Sequence, residues 1–200
     1  MEAEVRGALA FLRGAERLKD TLRTSRTSSG RPESVAEHTW RLCLTALAFG
    51  PALRAEGVDL GRLLAILVVH DLGEALSGDV PATERGTPRA LAKAERERAD
   101  LVALSAPLPG GARAEVLALW EEYEAAATPE GRIAKGLDKL ETILQHLEGR
   151  NAPGFDHAFD LDYGRERTDA HPLLAAARAV LDEETRARVV TVAWEAPGPT

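Results

Sequence analysis

Seven uninterrupted apolar residues, Leu63 to Val69, run directly into His70-Asp71, and carboxylates follow at Glu74 and Asp79. A run this apolar belongs in a core, where an imidazole and a carboxylate are costly unless each meets a strong partner. A metal ion is one such partner. Adjacent helical residues point about 100° apart, so His70 and Asp71 can reach one ion only where their helix passes close beside it or ends at it. Gly73 and Gly78 predict that the helix ends here. Taken alone, the dipeptide reads more readily as a core histidine beside a capping aspartate, since short motifs recur by chance.

With 200 residues and 44% hydrophobic content, the chain can bury one sizeable core, and no break in composition divides it. A single domain over residues 1–200 is expected. Ala, Leu, Arg and Glu dominate and aromatics are only 4%, which favours an all-α fold with few strands or none. The net charge of −7 does not predispose the chain to coat a nucleic acid, so a phosphate-bearing ligand must be met by a local cluster of cations. The single cysteine, Cys43, excludes an internal disulfide and reads as a packed thiol. The longest apolar stretch falls short of the roughly 18 residues a membrane span requires. The first residues carry acid where a signal peptide would carry base. A cytoplasmic protein without a membrane partner is expected.

Residues 3–18 have the apolar spacing of an amphipathic helix, and the polar stretch 18–32 reads as a long loop. Lys19, Arg23, Arg26 and Arg31 make this loop either a phosphate clamp or a solvated basic segment. Ser34 and Glu37 fit a capping box, so a helix should start near residue 35. Its apolar stripe, Val35, Leu42, Ala46 and Phe49, includes His38, which therefore faces inward. Gly50-Pro51 is expected to end it. Asp59 should cap a helix over 60–71, apolar on all sides and so the central buried one.

Lys93, Glu95, Arg96, Glu97 and Arg98 read as a mostly solvated face of a helix over 88–104, and Trp120 and Tyr123 as packing in a helix over 112–126. Thr128-Pro129-Glu130 starts a helix that the stripe Ile133, Leu137, Leu140, Leu144, Leu147 carries to about residue 148. Asp138 and Glu141 sit on the shoulder of that stripe, where Asp138 can border a cavity. Residues 155–171 look irregular, with two short helices expected over 172–180 and 182–194. His146 falls about 12 Å along its helix from Asp138. It reads, like His157 and His171, as structural or superficial.

His38, His70, Asp71 and Asp138 thus have separate reasons to face inward or border a cavity. Two imidazoles and two carboxylates suit Mn²⁺, Co²⁺, Fe²⁺, Ni²⁺ or Zn²⁺ better than Mg²⁺, and four ligands leave positions open for water and substrate.

The order His38, His70-Asp71, Asp138 resembles the H…HD…D pattern of the HD-domain metal-dependent phosphohydrolases. The surrounding words narrow the resemblance to the 5′-deoxynucleotidase branch: PESVAEH at 32–38, HDLGEALSGDVP at 70–81, LWEEYE at 119–124 and PEGRIAKGLDKLETILQ at 129–145. It spans residues 9–148, leaving 155–194 as a helical extension. It implies an all-α HD fold and hydrolysis of deoxyribonucleoside 5′-monophosphates by a homodimer holding one divalent cation per site, Mn²⁺ or Co²⁺ before the others. The implied metal ligands are His38, His70, Asp71 and Asp138. Glu74 and Asp79 match carboxylates needed for activity, and Arg23 an arginine that orients the phosphate. Implied substrate contacts are Arg23, Thr24, His38, Asp71, Asp79, Val80, Pro81 and Ala82. The chain departs from the branch in reading Arg23-Thr24-Ser25-Arg26 where a tryptophan is usual. The alternatives are hydrolysis of another small phosphate ester, HD-type oxygenase chemistry, or a helical module that binds nucleotide without turnover.

Overall fold

The computed structural model describes residues 1–81, 84, 87, 88 and 92–195. The described residues form an all-α architecture with one small hairpin. In chain order these are α1 (Glu2–Ala15), a 3-10 turn (Glu16–Lys19), β1 (Leu22–Arg26), β2 (Pro32–Ser34), α2 (Val35–Ala55), α3 (Leu60–Val69) and α4 (Glu74–Ser77). There follow α5 (Lys93–Leu104), α6 (Gly110–Ala125), α7 (Pro129–Glu148), α8 (Ala158–Asp162), α9 (Arg165–Thr168) and α10 (Pro172–Glu195). None of the described helices is long and apolar enough to cross a membrane.

The start signals read from sequence are all in use. Ser34 accepts from the Glu37 backbone N–H while the Glu37 carboxylate accepts from that of Ser34, Asp59 caps α3, and Thr128 caps α7 through the Gly131 N–H. Five regions differ from expectation, the first being 155–171, expected to be irregular, which carries the short helices α8 and α9. The stretch 18–32 is half hairpin: β1 pairs antiparallel with β2, Leu22 opposite Ser34 and Arg26 opposite Pro32, across an irregular register. Gly30, at a φ of 89° that suits glycine, turns the chain, and Arg26 donates to its carbonyl.

Helix α2 runs through Gly50-Pro51, because Pro51 lies on an exposed face where water can satisfy the carbonyl that loses its N–H partner. The last helix is unbroken, with Asp182 in its middle bound by Arg178 rather than breaking it. The central helix is α7 rather than α3. Val68 leaves one side of the ten-residue α3 exposed, whereas α7 buries thirteen residues among α2, α3, α6, α9, α10 and β1.

This packing positions the site. Helix α3 ends at Val69 beside α7, placing His70 and Asp71 just past its last turn. Gly73 lets α4 approach α5 closely, since a Cβ there would lie 2.6 Å from the Glu97 carbonyl oxygen. Gly78, with φ at 80°, then turns the chain into Asp79-Val80-Pro81.

Candidate metal centre and its cleft

His38 from α2, His70 and Asp71 from the end of α3, and Asp138 from α7 converge. One ligand atom each from His38, His70 and Asp138 lies within 4.8 Å of the others, and all three residues are buried. Asp71 Oδ2 sits 2.9 Å from His70 Nε2 and 3.8 Å from His38 Nε2. Asp138 Oδ1 is 3.2 Å from His38 Nε2.

Each imidazole is oriented from behind. His38 Nδ1 binds Glu141, and His70 Nδ1 donates to the Leu67 carbonyl at 2.7 Å. Both Nε2 atoms are buried and without a hydrogen-bond partner. Two orphaned ring nitrogens facing two carboxylates form a donor set that a divalent cation would complete, and a second acceptor fixing the far nitrogen is what metal-binding histidines ordinarily have. The four residues fit such an ion.

Electrostatics agree. Burial and the Arg23 cation pull the His38 imidazole down, but the Glu141 and Asp138 carboxylates outweigh them and hold it up at about 9. Burial opposes charge on Asp71 and Asp138, yet His70 and Lys93 hold Asp71 low, and Lys139 and His38 hold Asp138 well below the usual carboxylate range. A cation would take the place of the proton on His38 Nε2.

His70, Asp71 and Asp138 border a cleft of about 550 Å³, within the range of small-molecule sites, while His38, expected among the substrate contacts, is fully buried behind its lining. Arg23, half-buried on β1, donates to Thr142 at 3.1 Å and faces Glu33 and Asp71. Burial disfavours its charge, but Glu141, Asp71 and Glu33 keep it protonated. Thr24, Glu74, Asp79, Val80 and Pro81 also line the cleft, whereas Ala82 lies outside the described residues. Lys19 and Arg26 do not line it; Lys19 pairs with Glu16, and Arg26 is spent on the hairpin turn.

Other groups here had no distinct signal in sequence. Lys93 and Glu97, expected on a solvated face, line the cleft instead: Lys93 Nζ donates to Glu74 at 2.9 Å and lies 3.2 Å from Glu97. Burial, reinforced by Asp71, pushes the Glu74 carboxyl up to about 9. Burial likewise raises Glu97 to about 7. Tyr123, expected as packing, donates its hydroxyl to Asp138 Oδ2 at 2.8 Å, and Lys139 donates to the same oxygen. Both histidines read as structural near this region pair with acids: His146 donates to the buried Asp160 at 2.7 Å and borders the cleft, and His157 lies 4.0 Å from Asp160. His171 pairs with Glu56 away from it.

Buried histidines and aspartates gathered where helices meet define a metal-centred helical domain, and the HD-domain family model matches residues 15–177. The chain belongs to the HD-domain family, in its 5′-deoxynucleotidase branch. It is 33% identical over 173 residues to the 5′-deoxynucleotidase HDDC2 of Danio rerio, covering 82% of this chain and 80% of that one. Against the Mus musculus 5′-deoxynucleotidase HDDC2 the identity is 31% over 198 residues, 96% of this chain and 94% of the relative. The fold is similar to the crystal structure of a predicted metal-dependent phosphohydrolase from Magnetospirillum magnetotacticum, with a TM-score of 0.77 and 32% identity over 98% of this chain and 97% of that one.

Proposed function

We propose that this protein hydrolyses 2′-deoxyribonucleoside 5′-monophosphates to deoxynucleoside and phosphate, using one divalent cation, Mn²⁺ or Co²⁺ in preference to others. The observation that carries the reading is the pair of buried Nε2 atoms, neither in a well-aligned hydrogen bond, that face the Asp71 and Asp138 carboxylates at the edge of a cleft that also holds Arg23. The naming of relatives as 5′-deoxynucleotidases supports the substrate class.

His38, His70, Asp71 and Asp138 would hold the cation. When bound, it polarises a phosphate oxygen and lowers the pKa of a water molecule. Arg23 binds the remaining phosphate oxygens with charge-assisted hydrogen bonds and so orients phosphorus for attack, assisted by Lys93. Glu74 accepts the proton of the attacking water in its carboxylate form, the form that its ion pair with Lys93 favours. The bond from phosphorus to the 5′-oxygen breaks, and Asp79, whose proton affinity burial also raises, protonates that oxygen. Thr24 and residues 79–82 contact the nucleotide. Residues 1–200 act as one domain, a reading supported by the packing of α10 on α7, and the active form is a cytoplasmic homodimer.

The test is phosphate release from a panel of phosphomonoesters with Mn²⁺ or Co²⁺, beside the Asp71→Ala variant. Deoxynucleotides should be preferred and the variant inactive. Release from sugar phosphates alone would remove the substrate claim, and unchanged turnover in Asp71→Ala would remove the site. Light scattering on the purified chain decides the dimer.

A further inference from the structure

The chain has three Trp, two Tyr and four Phe, and both tyrosines and two of the phenylalanines border this single cleft. Tyr123 is engaged at the metal centre. The other three, Phe155, Phe159 and Tyr163, fall within nine residues: Phe155 packs against His146 with centroids 5.0 Å apart, and Tyr163 reaches back to Lys139 at 3.2 Å. Phe159 stacks on Tyr163 with centroids 5.3 Å apart and planes 29° from parallel, and both phenylalanines remain half-buried.

The floor joining the metal centre to these rings is one face of α7. Asp138, Thr142 and His146 recur every four residues and all border the cleft, a rise of about 12 Å from first to last. Arg23 lies over the middle of it, bound to Thr142. A ligand whose phosphate meets Arg23 beside Asp138 therefore has its other end directed toward His146 and the aromatic wall.

That wall is held in place. Arg178, fully buried on α10, donates to the carbonyls of Asp160, Leu161 and Tyr163 at 2.6–2.7 Å. Asp160 accepts from His146 Nδ1, which leaves the acceptor lone pair on Nε2. A rigid apolar aromatic surface with one polar reader suits a planar heteroaromatic ring.

We infer that Phe155 and Phe159, backed by Tyr163, form a subsite that stacks the nucleobase, with His146 reading its N–H edge. This rests on the nucleotide reading above and adds the element that separates a nucleotide from a bare sugar phosphate.

The experiment uses the metal-loaded full chain and two pairs of probes. Calorimetry compares deoxyadenosine with 2-deoxyribose, and steady-state kinetics compares deoxyadenosine 5′-monophosphate with 2-deoxyribose 5-phosphate. Stacking of one base predicts that Phe155→Leu and Phe159→Leu weaken deoxyadenosine binding and raise KM for the nucleotide roughly 5- to 100-fold. Parameters for 2-deoxyribose 5-phosphate should stay unchanged, and Phe159→Tyr should retain the nucleotide preference. Equal kcat/KM for the two phosphate esters in the parent protein overturns the subsite and leaves the hydrolase reading standing. Deoxyadenosine binding that depends on the phenylalanines without turnover of its phosphate keeps the subsite and removes the hydrolase reading. Loss of both binding and turnover in the parent removes both.

Discussion

At the scale of single residues, the site depends on groups that hold the proposed ligands in one orientation. Burial, with Asp138 close by, raises the Tyr123 phenol, so it stays protonated and donates to Asp138. Removing that hydroxyl frees a carboxylate oxygen to rotate. Tyr123→Phe should weaken metal binding about 10- to 100-fold while leaving the melting temperature of the metal-free protein nearly unchanged, as isothermal titration with Mn²⁺ would record. Unaltered affinity would make Tyr123 packing after all. The inward placement of His38 and Asp138 was legible because helical spacing reports which face a residue occupies. Spacing does not report which inward polar group meets which. Tyr123 and Asp138 are on successive helices, and Lys93 and Glu74 on helices separated in sequence by residues 78–92. Those pairs are set by tertiary packing, so Lys93 looked like one more cation on a charged helix.

At the scale of elements, the helix starts were the most legible features because a cap is a local hydrogen-bond arrangement. Ser34→Ala should cost about 1 kcal/mol by chemical denaturation. Glu37 adds a pH dependence: its pairing with Arg31, together with the Ser34 backbone N–H, holds the carboxyl down at about 2, against 4.5 in a free chain. A carboxyl lowered on folding contributes stability that is complete above about pH 4.5 and is lost as pH falls toward 2. Glu37→Gln keeps a capping-box side chain but removes the charge. It should therefore flatten stability over that acid window by lowering it above about pH 4.5, by an amount that exposure keeps small, and converge with the parent toward pH 2. The hairpin and the run through Gly50-Pro51 were not legible. Strand pairing of Leu22–Arg26 needs partners six to twelve residues on, and a breaker is harmless where its lost bond faces water. Gly73 gives a further test. Its Cβ would press on the Glu97 backbone, so Gly73→Ala should cost roughly 1–3 kcal/mol and lower kcat by displacing Lys93 from Glu74.

At the scale of the whole molecule, the proposed ligands come from three separated places, the first turns of α2, the end of α3 and the middle of α7. Folding brings together imidazole nitrogens and carboxylates that the unfolded chain holds far apart, so a cation binds the native state and scarcely the denatured one. Binding to the native state alone stabilises by about 2.7 kcal/mol when the free ion is at a hundred times its Kd. For a chain of this length that corresponds to a rise of roughly 5–10 °C in Tm. Because α2, α3 and α7 share one apolar core, the gain should appear in the single global transition rather than in a separate early one. EDTA should reverse it. Asp71→Ala, whose backbone and apolar surroundings are untouched, should melt near the metal-free parent and fail to respond to added Mn²⁺. A parent protein whose transition is indifferent to both cation and chelator, measured by scanning calorimetry, would mean that the buried nitrogens of His38 and His70 are satisfied by something other than a metal ion.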